Sequence, residues 1–268
     1  MGVGAIVGSA IFNILVIPAL SGLLADQALE SSRTIVYKEA QFYMIAVSAL
    51  VVTFALAVIY EPIAGNSVIL GRLTRPLAAV PLLVYGLYLF IQWQDVSDHQ
   101  PPDAGGDVSV ARDWATLVAG LLVILVAVEQ LVGAVESLSA TVGMPAFLAG
   151  ITIVAATTSL PDTIVSVRSA RGGRSATSLG NVLGSNTFDL LVVIPVGVLI
   201  VGAVPVNFST AVPMLGVLTL ATVLLFATLR TDLTLSGAEA YALLLAYLLF
   251  VAWVVAETVG VTGLLVGV

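Results

Sequence analysis

The sequence predicts an all-α integral membrane protein with about eight transmembrane helices, arranged as two repeats of opposite orientation. The first observation behind this prediction is composition: 59% of the 268 residues are hydrophobic, 9% are charged, and the mean hydropathy is +1.12. Soluble domains carry roughly 25% charged residues. The other two observations are a series of long apolar stretches and a motif that occurs twice.

Eight apolar stretches have about the length, roughly 20 residues, that a membrane-spanning helix needs. They are residues 2–25, 40–60, 73–93, 113–137, 144–168, 177–203, 209–229 and 238–256. The first lacks the positive segment that a secretory signal needs, so we expect a spanning helix that begins almost at Met1.

A polar segment divides the chain into two halves. Residues 94–112 are rich in Pro, Gly and Asp, which is typical of a solvated linker. We therefore expect the remainder of a first inverted repeat, with three helices, in residues 1–93. A second inverted repeat, with five helices, is expected in residues 113–268.

The charges predict partners and orientation. A net charge of −7 disfavours a nucleic-acid partner, and the absence of cysteine excludes thiolate metal sites. Cytoplasmic loops are enriched in Lys and Arg, so the richer side is predicted to be cytoplasmic, together with linker 94–112, in a multi-pass protein of the plasma membrane. The richer side carries Arg33, Lys38, Arg112, Arg168, Arg171, Arg174 and Arg230, and the other side carries Arg72 and Arg75.

The repeated motif is GAIVGSAIFNIL, from residue 4, and GNVLGSNTFDLL, from residue 180. At a constant offset of 176 residues, Ser9 matches Ser185 and Asn13 matches Asp189. A proline follows each copy, although the two prolines are out of register by one residue. The predicted spans give the copies opposite orientations, which is typical of transporters whose binding site lies at mid-membrane between the repeats.

The second copy places polar groups on one helix face. Ser185 and Asn186 lie four and three residues before Asp189, so the three side chains project to neighbouring points. A carboxylate at the centre of a membrane helix costs roughly 2.5–3.5 kcal/mol. We therefore expect Asp189 to face a cavity, a partner or a cation.

The segment TTSLPD in the preceding span offers a second set of oxygens. Thr158, Ser159 and Asp162 are three and four residues apart, again on one face. Pro161 has no N–H, so it should leave the carbonyl of Thr157 free within the membrane.

Taken together, these groups are oxygen donors without His or Cys. With Asn13 they suit a hard divalent cation or one or more Na⁺ ions. Glu129 is an auxiliary proton or cation site or a hydrogen-bonded structural acid, whereas Glu136 is predicted to be solvated. No nucleophile–base arrangement occurs, so we expect neither enzymatic activity nor a cofactor.

These motifs resemble a known family. TTSLPD followed by GNVLGSNTFDLL resembles the second alpha-repeat of the sodium/calcium exchanger family, and GAIVGSAIFNIL resembles the second half of its first alpha-repeat. GRLTRPLAAVPLLVYGLYL is similar to the helix that closes the first half in prokaryotic members. The resemblance implies an inverted-repeat antiporter fold of ten helices that exports Ca²⁺ by alternating access, with inward Na⁺ movement in the typical case.

The resemblance also implies a cation site, which it places at Asp162, Asp189, Asn13, Ser159, Ser185, Thr158 and Ser9. Three departures concern this site. Asp162 and Thr157 stand where the family usually has Glu and Gly, and Asn186 and Asn181 correspond to Ala10 and Ala5 in the first copy. The family's first two helices, one of which supplies a further glutamate, have no counterpart in the chain, which is therefore expected to be N-terminally incomplete.

Alternatives remain open at this stage. The chain could be a transport-incompetent remnant, or a subunit that needs a partner chain or self-association to supply the two helices. An upstream coding stretch with a second T-S-x-P-E motif would favour an intact exchanger. A cation channel is a third reading, against which the paired inverted motifs argue. The coupling ion is Na⁺, H⁺ or K⁺, and the membrane lipid is a further partner.

Overall fold

The computed structural model describes residues 2–33, 35–64, 68–97, 109–263 and 265, and these are mostly helical. The α-helices are α1 (Gly2–Leu24), α2 (Ala40–Tyr60), α3 (Arg75–Ser97), α4 (Val110–Val142), α5 (Ala146–Ala149), α6 (Ala155–Thr158), α7 (Leu160–Arg171), α8 (Ser175–Phe188), α9 (Ile194–Val201), α10 (Phe208–Arg230) and α11 (Gly237–Thr258). Short π-helical turns lie at Ile35–Glu39, Gly150–Val154 and Asp189–Val193. The strands are β1 (Leu29–Glu30), β2 (Leu70–Thr74), β3 (Ala203–Asn207) and β4 (Thr234–Leu235).

The predicted membrane-spanning stretches are confirmed as helices. Within the described ranges, seven helical stretches are long and apolar enough to cross a membrane. An eighth consists of Phe147–Thr158 and Leu160–Arg171, which meet at a bend of 41°. The chain is thus a multi-pass membrane protein.

The predicted linker 94–112 is shorter at both ends, because α3 continues to Ser97 and α4 begins at Val110. The intervening residues 98–108 lie outside the described part of the chain. The division into domains at this linker stays a prediction.

Two short antiparallel ladders, which the sequence did not predict, mark opposite faces of the helical bundle. β1 pairs with β4, and this joins the loop after α1 to the loop after α10. β2 pairs with β3, which joins the segments that precede α3 and α10. Backbone N–H and C=O groups outside the helices need partners, and each ladder supplies them.

The most buried helix is α1. Of its apolar span 72% is buried, against 6% for the span of α4. α1 contacts α7, α8, α10 and α11, and Ile11, Ile14 and Ile17 on it are completely buried. A helix that is apolar all round either lies in the core or faces lipid, and α1 and α4 show the two cases.

The two copies of the motif run in opposite directions, as predicted. The Arg171 side chain at the end of α7 donates a hydrogen bond of 3.0 Å to the carbonyl of Leu24 at the end of α1. α8 therefore begins on the face where α1 ends. α9 is followed by β3, which lies on the opposite face. α1 and the α8–α9 span are consequently antiparallel.

Candidate cation site

The bend in the α5–α7 span places Ser159 against α1. Ser159 lies between α6 and α7, and Pro161 falls in the first turn of α7, where its missing N–H is tolerated. The hydroxyls of Ser159 and Ser9 are 2.8 Å apart, and both side chains are buried. The structure thus brings these two predicted site residues together.

Two acidic residues, Asp162 and Asp189, lie near this bend on neighbouring spans. The carboxyl of Asp162 lies next to the hydroxyl of Ser185 and the side-chain amide of Asn181. The carboxyl of Asp189, half-buried on the next span, is close enough for the charges of the two acids to interact. α7 and α8 pack side by side, which brings both acids and Ser185 to one region.

Asn13 adds a neutral oxygen from α1. Its Nδ2 donates a hydrogen bond of 2.9 Å to Oδ1 of Asn186, and both side chains are completely buried. Its own Oδ1 is buried without a hydrogen-bond partner. Most buried polar atoms are paired, so this oxygen is available to a ligand.

Other polar residues named from the sequence make local contacts. The hydroxyl of Thr158 donates to the carbonyls of Val154 and Ala155, at 2.9 and 3.1 Å, in its own span. Its role as a ligand stays a prediction. The Glu129 side chain lies on the exposed surface of α4, and the side chain of Glu136 lies outside the described residues.

A π-helical turn explains the shifted proline of the repeat. The second copy contains the π turn Asp189–Val193 before Pro195, whereas α1 continues through Pro18 as an α-helix. A π-helical i→i+5 turn accommodates one residue more than an α-helical turn. One inserted residue in the π-helical turn therefore explains the one-residue offset between the prolines. This turn begins at Asp189.

The two copies differ in what covers them. A Cβ on Gly8 would lie 2.6 Å from the carbonyl oxygen of Ile151, so the bent span packs backbone to backbone against α1. Around the equivalent Gly184, a Cβ would meet no described atom within 4 Å. The α5–α7 span covers the motif face of α1. No described residue packs against the equivalent face of α8 at Gly184.

The chemistry of the site is that of oxygen ligands. Within the described ranges, no group of three or more His, Cys, Asp or Glu side chains is placed to hold a metal ion. The candidate ligands predicted from the sequence are instead two carboxyls, the hydroxyls of Ser9, Ser159 and Ser185, and the amide oxygen of Asn13. Hard cations such as Ca²⁺ and Na⁺ prefer oxygen ligands of this kind.

Two residues of this region were not assigned a role from the sequence. Tyr43 lies on α2, is completely buried, and its hydroxyl is 3.5 Å from Nδ2 of Asn186. Asn181 donates to the hydroxyl of Ser166 at 3.1 Å. Asn186 and Asn181 stand out in the sequence because alanine occupies their positions in the first copy, but no local signal identifies Tyr43.

The fold is that of a multi-pass membrane protein in which two copies of one motif run in opposite directions, with buried polar side chains where α1, α7 and α8 pack together. The chain belongs to the sodium/calcium exchanger protein family, whose model matches residues 1–94 and 112–256. This is a family of exchangers rather than of enzymes.

Individual relatives match shorter segments. The sodium/calcium exchanger MaX1 of Methanosarcina acetivorans is 34% identical over 84 residues, which are 31% of this chain and 24% of that protein. The segments matched in the first three curated relatives span about a quarter of the length of each relative.

Solved structures share the fold. The sodium-calcium exchanger NCX_Mj is similar with a TM-score of 0.64 and 21% identity, over 94% of this chain and 77% of that one. An H⁺/Ca²⁺ exchanger, CAX, is similar with a TM-score of 0.67 and 16% identity, over 98% and 71% of the two chains. The inverted-repeat fold is thereby confirmed.

Proposed function

We propose that the protein is a secondary transporter that exchanges Ca²⁺ for a monovalent cation, Na⁺, across a membrane by alternating access. Asp162 and Asp189 bind the cation, assisted by Asn13 and by the hydroxyls of Ser159 and Ser185. Ser9 and Thr158 complete the ligand set. Family membership and the names of the relatives support the class of transport.

The observation that carries the assignment is that the two inverted motif copies pack together, with the Oδ1 of Asn13 buried without a hydrogen-bond partner and the charges of Asp162 and Asp189 close enough to interact. Two neighbouring carboxylates repel each other, and a bound divalent cation offsets that repulsion. Several Na⁺ ions offset the same charge. Competition of Ca²⁺ and Na⁺ for overlapping oxygens provides the coupling, because only a filled site favours reorientation.

The orientation follows the positive charges. The face that carries the β1–β4 ladder also carries the end of α10 with Arg230, and Arg171 contacts the end of α1 there. Arg72 and Arg75 belong to the opposite side, at β2 and the start of α3. We place the β1–β4 face and linker 94–112 in the cytoplasm, and the protein in the plasma membrane.

Calcium binding to the purified protein tests this proposal. We expect Ca²⁺ binding that Na⁺ displaces, and loss of binding in Asp162→Asn and Asp189→Asn. Asp113→Asn is the matched control, because Asp113 is an exposed acid at the start of α4. Unchanged Ca²⁺ binding by folded Asp162→Asn would refute the assignment of the site. If H⁺ or K⁺ displaces Ca²⁺ and Na⁺ does not, the coupling ion is H⁺ or K⁺ instead of Na⁺.

A second candidate function is a subunit that needs a further helix from a partner chain, or a remnant that no longer transports. The open face of α8 at Gly180 and Gly184 favours it, since the equivalent face of α1 is covered by the bent span. The partner would supply a helix like the α5–α7 span.

Thiol labelling distinguishes the two functions. The sequence contains no cysteine, so a single Gly184→Cys variant reports on its own surroundings. Labelling that is blocked in native membranes but rapid after purification would indicate a separate partner. Ala176→Cys, at the exposed start of α8, is the control that should react in both preparations. Equal labelling of Gly184→Cys before and after purification would contradict the partner.

A further inference from the structure

We infer that Asn186 is a positioning residue that fixes the amide of Asn13 with its oxygen toward the bound cation. The inference rests on the proposed cation site and deepens it. Asn186 is completely buried on α8 and bridges three helices. Its Nδ2 lies 3.2 Å from the backbone carbonyl oxygen of Ala10 on α1 and 3.5 Å from the hydroxyl of Tyr43 on α2.

The backbone carbonyl sets the orientation of both amides. A carbonyl oxygen only accepts, so the Asn186 side chain must present its NH₂ group to Ala10. Its Oδ1 then points the other way, toward Asn13. Asn13 must therefore donate a hydrogen bond from its own NH₂ group to that oxygen. The Oδ1 of Asn13 then receives no hydrogen bond, and it is the buried oxygen without a partner.

The differences between the two motif copies explain why only one of the two equivalent ligand positions needs an orienting partner. Asn186 and Ala10 are equivalent positions of the two copies, and they touch each other where α1 and α8 pack together. The ligand equivalents differ as well, since Asn13 corresponds to Asp189. An ionised carboxylate accepts through both of its oxygens and has no N–H group that could face the cation in place of an oxygen. An amide offers one oxygen and one nitrogen, so only the copy with Asn13 needs an orienting partner.

Without Asn186, the amide of Asn13 is free to turn, and its NH₂ group would face the cation in part of the population. Replacing groups that orient metal ligands typically costs about ten- to a hundredfold in affinity. We expect a loss of Ca²⁺ affinity of that size in Asn186→Ala. Thr187→Val is the matched control, because Thr187 is the next residue, is equally buried and donates to the carbonyl of Leu183 on its own helix.

A second background separates positioning from a general structural role. In Asn13→Ala there is no amide to orient, so adding Asn186→Ala should change the Ca²⁺ affinity less than twofold. An equal loss of affinity in both backgrounds would show that Asn186 acts through the fold, and would overturn the inference. Asn186→Leu, of similar size, provides the same comparison if the alanine variant does not fold.

The amide protons give a readout that does not depend on transport. The chain has five asparagines, so ¹⁵N-asparagine labelling resolves the side-chain amide of Asn13 by NMR. We expect its exchange with D₂O to be slow in the wild type and in Thr187→Val, and at least about tenfold faster in Asn186→Ala. Unchanged exchange would contradict the hydrogen bond. If the wild type shows slow exchange but binds no Ca²⁺, the hydrogen bond between the two asparagines is supported and the proposed function is refuted.

Discussion

Replacing Gly8 by alanine measures how closely α1 and the bent span pack. The new Cβ would lie 2.6 Å from the carbonyl oxygen and 2.7 Å from Cγ1 of Ile151, where contacts of about 3.5–4.0 Å are normal. Overpacking costs about 1–3 kcal/mol, and we take the upper end because a backbone atom must move. The better helix propensity of alanine offsets about 1 kcal/mol or less.

The expected net loss in the free energy of unfolding is therefore about 2 kcal/mol, or about 30-fold in the ratio of folded to unfolded protein. Gly184→Ala is the matched control, since its Cβ would meet no described atom within 4 Å and should cost nothing. Thermal unfolding followed by circular dichroism in detergent compares both variants with the wild type. A Gly8→Ala protein as stable as Gly184→Ala would refute the close packing that we derive for α1.

Two further predictions concern hydroxyl groups. Ser9→Ala and Ser159→Ala each remove one partner of the 2.8 Å contact and should each cost about 1 kcal/mol, while the double variant should cost little more than either single one. Additive losses in thermal unfolding would show that the two hydroxyls act independently. Ser236→Ala removes the capping box at the start of α11 and should cost about 1 kcal/mol, with Ca²⁺ binding unchanged. An unchanged melting temperature would indicate that the cap does not limit stability.

The large elements of the fold could be predicted because single physical rules decide them. A helix that crosses a membrane needs about 20 apolar residues, so hydropathy located the spans. Proline has no N–H to donate, so Pro161 predicted a missing backbone hydrogen bond in the TTSLPD segment, although not the 41° bend that the structure shows beside Ser159. The opposite orientation of the two motif copies followed from the number of spans between them.

The finer features depend on tertiary contacts. The offset of Pro195 relative to Pro18 is visible in the sequence, but only the structure reveals the π-helical turn that causes it. The contact between Tyr43 and Asn186 joins residues 143 positions apart, and no local sequence pattern predicts it. The short ladders likewise join segments that lie far apart in the sequence. Sequence reasoning therefore grouped the candidate ligands but did not find what orients them.

The central claim is that Asp162 takes part in gradient-driven cation exchange, and flux into lipid vesicles tests it most directly. We would measure Ca²⁺ uptake driven by an Na⁺ gradient for the wild type, Asp162→Asn and the control Asp113→Asn. We predict uptake that requires the gradient, persists in Asp113→Asn and vanishes in Asp162→Asn. Undiminished uptake by Asp162→Asn would contradict the site. No uptake by a folded, inserted wild type would contradict exchange by this chain alone and favour the subunit or the remnant.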